Sequence, residues 1–144
     1  MNIFDRLRQG VQTGSAEETA ALASELAASL PMDSTLALHG DLGSGKTTFV
    51  AGLAQNWGIA EPVTSPTYNL FTLYRGSGRM LAHLDAYRLH GAADMDALMV
   101  EEFLKSPYCI AVEWPENVLE WLPENTLHLY LDDKGQGKRA IKLA

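Results

Sequence analysis

A single cysteine in 144 residues rules out an internal disulfide. Cys109 lies in the apolar run Tyr108-Cys109-Ile110-Ala111-Val112, where it reads as a small buried hydrophobe rather than a reactive thiol. Cations are scarce: eleven Lys and Arg, scattered along the chain, face eighteen Asp and Glu for a net charge of -7. That balance excludes broad electrostatic tracking along nucleic acid, which needs a basic face, so any involvement with RNA would run through a partner protein. No apolar stretch approaches the ~20 residues of a membrane helix. The start, Met1-Asn2-Ile3-Phe4-Asp5-Arg6-Leu7-Arg8, lacks the apolar core and cleavage site of a signal peptide, so a cytoplasmic protein without membrane partners is expected. Internal repeats and low-complexity segments are absent too. What is present is the composition of a soluble globular chain, 47% hydrophobic and 20% charged, with length for one domain.

Residues Gly40-Asp41-Leu42-Gly43-Ser44-Gly45-Lys46-Thr47 spell G-x-x-x-x-G-K-[ST] directly after the apolar run Leu36-Ala37-Leu38. This is a P-loop in its working context, a strand feeding a glycine-rich turn that feeds a helix. The glycines let successive backbone N–H groups turn inward on a phosphate chain, and the helix start adds its positive dipole end. Lys46 is placed to reach the β- and γ-phosphates, and the Thr47 hydroxyl to coordinate Mg²⁺. A nucleoside triphosphate is therefore the expected ligand.

Around this motif the chain divides clearly. Residues 1–14 read as a loose N-terminal tail, the first ten or so alternatively as a short extra helix. Ser15-Ala16-Glu17-Glu18 is a capping box, so a helix begins at Ala16, carries Leu22, Leu26 and Leu30 at helical spacing, and stops at Pro31. A strand is expected over Thr35–His39 and a helix over Lys46–Trp57, with Phe49, Leu53 and Trp57 on one stripe and Gly58 as its stop. Tyr68–Arg75 and Arg79–Asp85, joined by Gly76-Ser77-Gly78, form a hairpin, which makes the sheet mixed. Asp94–Leu104 reads as a helix and Tyr108–Val112 as a strand buried on both faces. A last hairpin joins Thr126–Leu131 to Lys138–Leu143 through a turn over Asp132–Gly137.

A hydrolytic P-loop site needs a second carboxylate at the end of a neighbouring apolar strand. Glu113 stands there, as a metal partner or simply as the first exposed residue after the strand. Asp85 ends the second hairpin strand, within His83-Leu84-Asp85-Ala86-Tyr87-Arg88, where it would hold or orient water. Arg88 either locks Asp85 in a structural ion pair or approaches the γ-phosphate. His83 has no metal-ligand spacing with another histidine and reads as a packing or hydrogen-bonding residue. Val63-Thr64-Ser65-Pro66-Thr67 follows the P-loop at a distance suited to a first switch segment.

Taken together, the P-loop from Gly40, Ser65-Pro66-Thr67-Tyr68, the segment from His83 to Leu89, and Val112-Glu113-Trp114-Pro115-Glu116 resemble, in order and spacing, the bacterial TsaE family. The resemblance runs from Ser15 to the final hairpin. It implies an α/β fold, a P-loop NTPase-like three-layer sandwich with antiparallel hairpins added to a parallel core, as one domain over residues 1–144. It implies ATP or ADP binding with Mg²⁺, slow ATP hydrolysis, and work with two partner proteins, of the TsaB and TsaD families. Together these install threonylcarbamoyl on the adenosine just 3′ of the anticodon, in tRNAs that read codons beginning with A. By position, it implies that Thr47 and Glu113 are Mg²⁺ ligands, that Gly43, Ser44, Gly45, Lys46, Thr47 and Thr48 cradle phosphate, and that Asp85 is a catalytic or water-positioning carboxylate. It makes Ser65 and Thr67 switch residues, Trp114 an aromatic near the nucleotide, and the Gly137-Lys138 turn an approach to it. The rival readings are a nucleotide-dependent docking module without turnover and a small-molecule kinase.

Overall fold

The computed structural model describes residues 1–66 and 70–144. Seven strands form one mixed sheet: β1 (Val11–Thr13), β2 (Asp33–His39), β3 (Phe71–Arg75), β4 (Met80–Asp85), β5 (Tyr108–Glu113), β6 (Leu127–Gly135) and β7 (Lys138–Leu143). Their order is β1-β7-β6-β2-β5-β4-β3. The four central strands run parallel, β2 pairing with both β5 and β6, and β4 with β5. Antiparallel pairs flank them on both sides. The expected mixed α/β architecture is thus present.

Among the described residues four α-helices cover the sheet: α1 (Ile3–Gln9), α2 (Ala16–Ser29), α3 (Lys46–Asn56) and α4 (Ala92–Leu98). Helix α2 begins where the capping box requires. Ser15 Oγ accepts from Glu18 N at 3.1 Å, and Glu18 Oε1 from Gly14 N at 2.9 Å. Side chains of α1, α2 and α3 pack with Leu36, Leu38, Leu81, Cys109, Ala111 and Leu129 into one core, while Met95 of α4 joins Ala82, Leu84, Ile110 and Val112 in a second. The period-two alternation of strands explains the division. Leu81, Cys109 and Ala111 sit over one face, and Ala82, Leu84, Ile110 and Val112 over the other. Helices α2 and α3 approach so closely that a Cβ built on Gly52 would lie 2.2 Å from the Ala20 carbonyl oxygen.

Three expectations change. Residues 1–14 are not a loose tail, and the alternative of a short helix holds: α1 buries Ile3 and Leu7, Asn2 caps it, and β1 adds to the sheet beside β7. The helix expected over Asp94–Leu104 breaks at Met99, which takes a left-handed conformation (φ 56°), and a 3₁₀ turn continues over Val100–Phe103. In an unbroken helix Met95 and Val100 would point about 140° apart; the reversal lets both enter the second core. The last hairpin is longer than expected. Asp132, Asp133 and Gly135 stay in the ladder, opposite Ala140, Arg139 and Lys138, past a bulge between Asp133 and Gly135. Its turn shrinks to Gln136-Gly137, both with positive φ as a two-residue hairpin demands.

Candidate functional site

The P-loop joins the carboxyl end of β2 to α3 at the centre of the parallel strands, where α/β sheets place ligands. Gly40 is fixed by close approach: a Cβ there would sit 2.5 Å from Ser44 Oγ and 2.6 Å from the Leu131 carbonyl. Ser44 N–H bonds Asp41 O at 3.1 Å, closing the turn, and the Gly45 carbonyl accepts the first bond of α3 from Phe49. Beneath the turn, Phe49, Val50 and Leu53 are fully buried, which anchors the start of α3. A cavity of about 350 Å³ opens over this start, with Gly43, Gly45, Lys46, Thr47, Thr48 and Ser65 in its wall. Glu113 and Arg139 complete it together with Leu42.

Lys46 is buried. Its Nζ donates to the Gly40 carbonyl at 2.5 Å and lies 4.0 Å from the centre of the Trp114 ring. Burial draws its ammonium below the ordinary lysine range, against the pull of Glu113, Glu116, Asp85 and Asp41. A bound polyanion would oppose that loss of charge.

Glu113 is not an exposed strand-end residue but 4% accessible and still within β5. Its Oε2 lies 2.5 Å from His83 Nε2 and accepts from Thr47 Oγ1 at 3.3 Å. Strand register causes this meeting: His83 and Glu113 fall on the α3 side of adjacent parallel strands, with Asp85 opposite Glu113 and His83 opposite Ala111. His83 is therefore a hydrogen-bonding residue, with Nδ1 buried and unpartnered among the described residues. One hydroxyl and one carboxylate, both hard oxygen donors, suit a Mg²⁺ that keeps waters and phosphate oxygens as its other ligands. No cluster of three or more His, Cys, Asp or Glu that would cage a metal occurs among the described residues.

Asp85 stands apart from this cavity. Its Oδ1 accepts from Tyr87 N at 2.9 Å, and it lines a neighbouring hollow of about 110 Å³ with Ser65 and Arg88. Arg88 makes no ion pair with Asp85 among the described residues. Thr67 lies outside the described residues. Trp114, in a left-handed conformation (φ 56°), packs edge-on to Tyr87. It faces a larger cavity of about 600 Å³, shared with Gly40, Asp41, Leu42 and Ser44, on the outer side of the loop. Gly137 borders a small hollow beside Gly45 and Thr48.

Two features carry no sequence motif. Arg139 of the β6–β7 hairpin reaches the cavity over the start of α3, where its side chain lies against Gly45. On the outer side His39 bonds His128 at 2.8 Å, stacks on Tyr130 and faces Glu116 at 3.8 Å.

A sequence model of the family described as "Threonylcarbamoyl adenosine biosynthesis protein TsaE" matches residues 13–141. The chain is 37% identical over 130 residues to the tRNA threonylcarbamoyladenosine biosynthesis protein TsaE of Treponema pallidum, spanning 90% of this chain and 96% of the relative. The protein of the same description from Bacillus subtilis is 35% identical, over 90% of this chain and 81% of its own. A crystal structure of Bacillus subtilis YdiB superimposes with a TM-score of 0.73 at 32% identity, covering 93% of this chain and 82% of that one. These matches take in the P-loop, the strand ending at Glu113 and most of the final hairpin, and the chain belongs to the TsaE family of threonylcarbamoyladenosine biosynthesis.

Proposed function

We propose that this chain is a Mg²⁺-dependent ATP-binding subunit that hydrolyses ATP slowly in support of tRNA threonylcarbamoyl modification, together with proteins of the TsaB and TsaD families. The observation that carries the reading is the convergence of Lys46, Thr47 and Glu113 at the start of α3. Backbone amides of Gly43, Ser44, Gly45 and Thr48 and the Lys46 ammonium would hold the phosphates, and Thr47 and Glu113 the ion. When bound, Mg²⁺ would neutralise charge on the phosphate oxygens. Asp85 would orient water from the end of β4, with Ser65 and Thr67 as residues that sense the terminal phosphate. Trp114 would border the nucleotide through its contact with Lys46, and Gly137 would border it from the hairpin. The chain's acidity leaves tRNA contact to the partners, and a cytoplasmic location suits that work. Among the described residues no helix is long and apolar enough to cross a membrane.

The position of Asp85, hydrogen-bonded to Tyr87 N and outside the phosphate cavity, favours low turnover by the isolated chain. It also supports the second reading, in which nucleotide only organises a docking face. Phosphate release measured with and without the TsaB and TsaD proteins separates the two. The enzyme reading expects release that rises with partners and falls at least tenfold in Asp85→Ala while ADP affinity holds. Release at background under all conditions favours the docking module.

A further inference from the structure

Arg139 is a cation at the phosphate cavity to which no motif assigns a task. Across the β6–β7 ladder it faces Asp133, whose Oδ1 accepts from Nη1 at 2.9 Å, and the same nitrogen donates to the Lys138 carbonyl at 3.0 Å. Both contacts hold one corner of the guanidinium. Nε and Nη2 have no protein partner among the described residues. The side chain is only 20% exposed and runs along the bare backbone of Gly45. A Cβ there would lie 3.2 Å from Nε, 3.6 Å from Cδ and 3.7 Å from Cγ.

Asp133 balances the charge at the Nη1 corner, while the opposite edge of the guanidinium faces other positive charge. Gly45 caps α3, so the guanidinium sits against the positive end of an eleven-residue helix and beside the Lys46 cavity. Glu113, the one carboxylate in that cavity's wall, is already engaged by His83 and Thr47. The free edge of the guanidinium is a planar two-donor fork, a shape that matches phosphate oxygens.

We propose that Arg139 is a second phosphate-binding cation of this site, positioned by Asp133, and that it grips the phosphates nearer the nucleoside rather than the terminal one. The assignment along the phosphate chain follows from the sides of the cavity. Thr47 and Glu113 lie toward β5, whereas Arg139 also borders the hollow formed by Ala16, Thr19, Thr48 and Gly137, toward α2 and β7. The inference rests on the nucleotide reading given above.

The test uses the full chain with Mg²⁺ and ADP in titration calorimetry over a range of KCl, alongside ATP hydrolysis. Arg139→Ala is expected to weaken ADP and raise KM for ATP by about tenfold, the scale of one charge-assisted hydrogen bond, with kcat within twofold. Its ADP affinity should fall less steeply with salt than that of the wild type. Arg139→Lys should recover part of the loss. Asp133→Asn should weaken ADP by a smaller factor, and not at all once Arg139 is alanine. Three results would overturn the proposal: ADP affinity unchanged in Arg139→Ala, affinity lost with the wild-type salt dependence, or kcat reduced at constant KM. If the wild type itself takes up no ADP, the nucleotide reading fails and this inference with it. Failure confined to the variants sinks the arginine alone.

Discussion

The two faces of the sheet bury their apolar side chains in different ways. One lies under α1, α2 and α3, and Leu7, Leu26, Phe49 and Leu53 are sealed within it. The other is covered by the short α4 and by 3₁₀ turns. Phe71, Leu98, Leu104, Trp114 and Trp121 contribute there only as partly buried packing. The P-loop and its cavity grow from the first face, with Phe49 and Val50 fixed just behind Lys46 and Thr47. Tyr87 and Trp114 stand at the rim of the second, where Asn117 Nδ2 clasps the carbonyls of Ala86 and Tyr87 at 3.0 and 3.2 Å. The cavity over the start of α3 thus rests on a tightly packed scaffold, whereas the rim beside Asp85 rests on short turns and half-exposed aromatics. On the function proposed above, such a site would hold a nucleotide more readily than it would turn one over.

Substitutions can break that comparison. The largest stability effect is expected from Gly52→Val, which forces α2 and α3 apart and should cost about 3 kcal/mol or more in urea unfolding. Stability equal to the wild type would mean that the helices are not in close contact. Next is a matched pair of fully buried leucines. Leu53→Ala in the sealed core should cost about 3 kcal/mol, and Leu84→Ala, in the core bordered by partly buried aromatics, about 2 kcal/mol. Equal costs would erase the distinction between the faces.

A smaller effect comes from His39. Burial, then the nearby charges of His128 and Lys46, lower its pKa from 6.5, against Glu116. The unfolded chain therefore binds this proton more readily than the folded one. Stability should be full above pH 6.5 and decline as pH falls below it. Thermal melts should show a shallower acid decline in His39→Gln, and identical slopes would remove His39 from the account. The smallest effect concerns Cys109, whose thiol burial pushes up to about 12. It should resist thiol reagents at pH 8 until the protein unfolds, whereas prompt native labelling would show the first core to be open.

How much of this was legible in the sequence depended on range. The P-loop is a local pattern, and so is the apolar run that ends at Glu113; both stand where the residues placed them. The α1 helix was also within reach, since Asn2 caps it by accepting from Asp5 N at 2.8 Å and Ile3 and Leu7 share one helical face. The reading of the first ten or so residues as a short extra helix is the one the structure shows. The contact of His83 with Glu113 is set by register between strands thirty residues apart, which periodicity within either strand does not encode. Arg139 was further out of reach: its place depends on the β6–β7 ladder running past the apolar part of β6, so that it pairs with Asp133. The break at Met99 answers to a core that α4 alone does not reveal.

The account depends on Lys46, Thr47 and Glu113 acting together on a magnesium nucleotide. Calorimetric titration of ATP into the intact chain, with and without Mg²⁺ and in parallel with Lys46→Ala, tests this most directly. Uptake is expected near one nucleotide per chain, strengthened by Mg²⁺ and weakened about a hundredfold in the variant. Absence of uptake by the wild type, or equal affinity in Lys46→Ala, would contradict it.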